Sequence, residues 1–197
     1  MGLSSTIHTG LFAFAGFWSL LVWTVTAGFR AKIADNTRGI NYYNNPYTNS
    51  VNAILAWGLI SMFYFIAHVV VLLFVSSANI FVSVIFDVAA LAFLWLFGIV
   101  SVGILSQWGG IFADYSGTSA GSLGSAVLGL GWILVLTQMG LLAWETISTL
   151  IHHGASFGPW RSSFHDLNEG GSSARFGGGS GITSEPKTAT AQAPLSV

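Results

Sequence analysis

Charge is so sparsely placed in this chain that the gaps between charges dictate the fold. No Lys, Arg, Asp or Glu occurs in residues 1–29, 39–86, 88–113 or 115–144. At a rise of about 1.5 Å per residue, each gap is long enough to carry a helix across a hydrocarbon core of about 30 Å. Charged residues make up 7% of the 197 and hydrophobic ones 53%, whereas a soluble domain is roughly 25% charged. Six basic and seven acidic side chains could not cover the surface of a water-soluble fold of this size. The chain therefore reads as an all-α integral membrane protein.

Composition also excludes several kinds of function. With no cysteine, there is no disulfide, thiol nucleophile, thiolate metal site or palmitoylation anchor. A net charge of −1 with six basic residues leaves no patch able to neutralise a phosphate backbone, so no nucleic-acid partner is expected. No phosphate-binding glycine loop, nucleophile elbow or metalloprotease motif occurs. No enzymatic activity, metal or cofactor is expected.

The apolar blocks divide into four spans, about 10–29, 51–75, 80–105 and 123–151. The first lacks the basic flank and small-residue cleavage site of a signal peptide, so it reads as a retained span. Residues 51–105 would measure about 80 Å as one helix and must fold back. The small polar cluster Ser76-Ser77-Ala78-Asn79 supplies the only turn inside that block, and a tight one. Residues 106–122 form a Gly-, Ser- and Thr-rich connection. The expected product is a four-helix transmembrane bundle over residues 1–153, with both termini on one side. Residues 154–197, rich in Gly, Ser and Thr, have the composition of a disordered tail.

Three ionisable residues fall within the spans, and such residues are rare in membranes unless they are paired or hydrated. His68 and Asp87 are nearly equidistant from the hairpin turn, so antiparallel packing brings them to one height, about 11 Å below it. Glu145 approaches the same side at the end of the fourth span. These three define an intramembrane polar layer. It is either a structural pair that fixes helix packing or a proton relay. Gln138 is expected to hydrogen-bond between helices. His8, His152 and His153 gather on the same membrane side without the i, i+4 spacing of a preformed metal site.

Gly121, Ser125 and Gly129 recur every four residues, with Gly124 on a neighbouring stripe. Such small residues let helix backbones approach closely in lipid, either inside the bundle or against a second copy. Several of the eight tryptophans lie near span ends and read as interfacial anchors. The segment Met1-Gly2-Leu3-Ser4-Ser5-Thr6 fits the N-myristoylation pattern, with Gly2 as acceptor. No Asn-x-Ser/Thr sequon occurs.

A short amino terminus, four spans, a tight second turn, Asp87 early in the third span followed by Phe93-Leu94-Trp95-Leu96-Phe97, and a polar tail together resemble the MARVEL-domain family, in particular its small fungal members. The resemblance covers about residues 6–153. It implies a non-enzymatic organiser of membrane subdomains or trafficking, acting through lateral association with lipids, other membrane proteins or itself. It further implies a plasma-membrane location with cytosolic termini. The charge rule points the other way, because Arg30, Lys32 and Arg38 follow the first span and favour a cytosolic first connection. Two other functions fit the same sequence. One is a small proton-coupled transporter or channel using His68, Asp87 and Glu145. The other is an accessory subunit of a larger membrane complex.

Overall fold

A helix that is apolar on every face has no solvent side, and a bundle of such helices must sort its faces by packing and hydrogen bonding alone. The fold is seen in a computed structural model, which describes residues 3–36, 46–74, 83–153 and 160, with side chains at 6–34, 47–74, 83–151 and 160. Among these are five helices: α1 (Leu3–Asn36), α2 (Pro46–Phe74), α3 (Val84–Ser106), α4 (Gly109–Asp114) and α5 (Ser119–His153). Four are long and apolar enough to cross a membrane, at Thr6–Ala34, Tyr47–Phe74, Val84–Ser106 and Ser119–Ile151. The chain is a four-helix integral membrane protein. The 76–79 turn, the 154–197 tail apart from Trp160, and Gly2 lie outside the described residues or side chains.

Packing runs in a ring. α1 and α3 each contact both α2 and α5, and α4 lies on α5. The buried positions on α1 include His8, Phe12, Ala15, Ser19, Val22, Thr26, Phe29 and Ile33, alternating four and three residues apart. On α3 they include Val84, Asp87, Leu91, Leu94, Gly98, Ser101 and Leu105, with the same alternation. This repeat, averaging 3.5 residues, is the seam of left-handed bundles. Polar residues lie on the seam and large apolar ones face outward. Phe17, Phe63, Phe93 and Leu136 are all more than half exposed, as a lipid-facing surface requires. Inside, hydroxyls return to their own helices: Ser19 donates to the Ala15 carbonyl (2.7 Å), Thr26 to Val22 (2.6 Å) and Ser101 to Phe97 (2.7 Å). These three buried O–H groups are thereby satisfied without water.

Three features differ from the sequence reading. α1 continues past Arg30 and Lys32, which were expected to begin the connection. Long cationic side chains at a helix end can reach the interface while the backbone stays helical, and Arg30 Nε donates to Asn52 Oδ1 at 2.8 Å. The expected connection 106–122 contains α4, a short helix that inserts Phe112 into the bundle end. Trp57 is a core residue and not an interfacial anchor. It is fully buried, and its indole N–H donates to the Leu94 carbonyl at 2.8 Å. Gly98 faces that ring, and a Cβ there would collide with it.

Candidate functional site

All four spans contribute to one buried polar layer at one end of the bundle. α1 supplies His8, α2 supplies Tyr64 and His68, α3 supplies Asp87, and α5 supplies Glu145. His68, Asp87 and Glu145 are 4%, 0% and 1% exposed. His68 Nδ1 lies 3.0 Å from Asp87 Oδ1, and the Tyr64 hydroxyl donates to the same oxygen at 2.8 Å. The His68 contact has ion-pair distance without hydrogen-bond alignment. Across the bundle, His8 Nε2 and Glu145 Oε1 are 2.7 Å apart, although 137 residues separate them in the chain. Phe12 joins the two pairs. Its ring stacks on His68 with centroids 4.2 Å apart and lies 4.5 Å from His8.

The layer thus has two halves, His8 with Glu145 and His68 with Asp87. The sequence reading set Glu145 beside His68 and Asp87 and left His8 at the interface with His152 and His153. His8 instead occupies the first buried position of the α1 seam, and the side chains of His152 and His153 are not among those described. Because α3 begins at Val84 and not at 80, Asp87 falls in its first turn. The layer is therefore nearer the bundle end than the hairpin arithmetic implied, and an acidic group there is favoured by the helix N-terminus. Tyr64 was missed altogether. Its signal was its place four residues before His68, on the same helix face.

Chemically, each imidazole–carboxyl pair is neutral as a whole when it holds one extra proton, wherever that proton sits. A second proton, or the loss of the first, leaves a net charge in a low-dielectric site, which is costly. Asp87 Oδ2, Glu145 Oε2 and His68 Nε2 are buried without a hydrogen-bond partner among the described residues. About 10 Å deeper along α5, Gln138 Nε2 donates to Ser61 Oγ at 3.0 Å, which ties α5 to α2. Among the described residues, no group of three or more His, Asp or Glu side chains is arranged to hold a metal ion.

The small-residue positions of α5 separate into two directions. Cβ atoms at Gly121 and Gly124 would collide with the Tyr115 carbonyl and the Phe112 ring, so both glycines admit the α4 region. Ser125 and Gly129 are exposed, and a Cβ at Gly129 meets nothing within 4 Å. A step of four residues advances 40° beyond a full turn of a 3.6-residue helix, so the i, i+4, i+8 row curls from the bundle to its outer face. None of the family models, curated proteins or solved structures compared with the chain matches it.

Proposed function

We propose that this protein is a non-enzymatic, four-span membrane organiser of the MARVEL type, acting by lateral association in the plasma membrane with both termini in the cytosol. The observation that supports this reading is the inside-out distribution of its side chains. The ionisable groups of the polar layer, His8, His68, Asp87 and Glu145, are turned inward and paired between helices, and large apolar side chains face outward. A molecule built this way interacts through its outer faces, and the Ser125–Gly129 stretch of α5 lets another helix backbone approach there. Gly129→Leu should therefore disperse membrane clusters of a fluorescent copy, with at least a twofold fall in self-association by energy transfer and no loss of folded protein. Clustering equal to that of the unaltered protein would remove this face from the mechanism. A protease-sensitive tag after Val197 reads the sidedness directly, and an external tag would sink the proposed topology.

A second reading has its own support. Ionisable side chains from four spans meet in one layer, with buried oxygens left for a mobile proton. In a proton-coupled transporter, pH-driven flux in purified liposomes would fall at least tenfold in Asp87→Asn, because the amide carries no titratable proton. Flux insensitive to that change would leave the layer a purely structural role.

A further inference from the structure

The polar layer is unequal above and below. One turn deeper into the bundle, each span contributes an apolar side chain: Phe12 on α1, Phe65 on α2, Leu91 on α3 and Leu141 on α5. These four belong to one packed cluster, and none is more than 3% exposed. They form an apolar floor. Beyond it Val22, Trp57, Val102 and Leu134, again one from each span, are fully buried in a second cluster. Hydroxyls at those depths are turned back on their own helices, Ser19 to the Ala15 carbonyl and Ser101 to that of Phe97.

Toward the near end of the bundle, where α1 begins and α5 ends, α5 presents an oxygen instead. Thr149 lies one turn beyond Glu145, about 6 Å along the helix, and is 1% exposed. A threonine within a helix commonly donates to the carbonyl four residues earlier, as Thr26 and Thr137 do. Thr149 Oγ1 makes no such bond and has no hydrogen-bond partner among the described residues. Glu145 Oε2, Asp87 Oδ2 and His68 Nε2 share that condition. The groups of the layer are also close together. The rings of His8 and His68 have centroids 5.8 Å apart, which sets the two imidazole–carboxyl pairs side by side, and the charge of Asp87 acts on Glu145.

We propose that the layer binds water, held between Glu145 Oε2 and Thr149 Oγ1, and that this water connects the layer to one membrane face only, the face where α1 begins. Water has the matching chemistry. It can donate to carboxylate oxygens and a hydroxyl while accepting from a donor, and a buried water makes about three such bonds. Polar side chains one helical turn apart are within reach of a bridging molecule. The floor gives the site its direction, because Phe12, Phe65, Leu91 and Leu141 offer a proton no polar group to step to. Such a layer exchanges protons with one compartment, whether the protein organises membranes or carries ions.

The test is water-edited solid-state NMR of the full-length protein in liposomes, isotopically labelled in Ser, Thr and His. Magnetisation from water should reach Thr149 at least about fivefold faster than Ser19, which is fully buried below the floor, and nearly as fast as the exposed Thr118. This comparison needs no variant. Thr149→Val keeps the shape of the side chain and removes the hydroxyl, so exchange of the His8 and His68 ring N–H protons with solvent should slow at least about tenfold. A Thr149 as dry as Ser19 overturns the water site. A Ser19 as wet as Thr149 overturns the one-sided access, and imidazole exchange unaffected by Thr149→Val overturns the route past Thr149. Neither measurement depends on clustering through Gly129 or on flux in Asp87→Asn.

Discussion

Glu145→Ala should lower the unfolding free energy by about 3–5 kcal/mol, because it leaves the His8 imidazole buried opposite an empty space. The two groups are each 1% exposed and 2.7 Å apart, so neither water nor a neighbouring helix can replace the missing partner without a rearrangement of α1 against α5. The double variant His8→Leu, Glu145→Leu removes both polar groups together. It should regain at least half of the loss, since apolar replacement of a whole buried pair is often close to neutral. Unfolding in mixed micelles of increasing denaturing-detergent content measures all three proteins. Additive losses in the double variant would mean that the two side chains are not coupled, and the layer would then have to be explained without this pair. The comparison also bears on function, because a stability lock and a transport site respond differently. The lock is restored by the apolar pair, whereas pH-driven flux is not.

Trp57→Ala should cost a comparable amount, about 3–5 kcal/mol. Trp57 is among the largest fully buried side chains of the bundle, and it crosses from α2 to α3 to fill the space that Gly98 leaves open. Truncation opens a cavity that rigid helices can only partly close. Trp57→Phe should cost less, about 1–2 kcal/mol, because most of the ring volume remains while the hydrogen bond to the Leu94 carbonyl is lost. The same micelle titration decides the matter. A Phe variant as damaged as the Ala variant would assign the stabilisation to the hydrogen bond, not to the filled volume.

How far the sequence reveals these sites depends on what kind of signal each leaves. Spans leave a strong one, because charges cannot lie unpaired in lipid. The gaps between charges therefore counted four crossings and placed three of the four close to their observed positions. The juxtaposition of His68 and Asp87 was accessible because a single turn relates them, so equal offsets imply equal depth. His8 was not accessible in that way. Its partner is on the last helix, and only the packing of α1 against α5 brings them together. Tyr64 was hidden for another reason. In a chain with 14% aromatic residues, one more ring on an apolar helix carries no distinguishing pattern. The Gly-Gly start of α4 reads as a loop, and the helix exists because Phe112 and Trp108 find partners across the bundle end.

By itself, then, the sequence determined that the chain lives in a membrane, how many times it crosses, and which ionisable residues must be sheltered there, because the cost of a lone charge in hydrocarbon depends on composition and not on shape. Only the tertiary structure decided which face of each helix turns inward. These helices are apolar all around, so no amphipathic stripe distinguishes core from lipid. The distinction came from side chains that can be satisfied only by one another: His8 with Glu145, His68 and Tyr64 with Asp87, and Gln138 with Ser61.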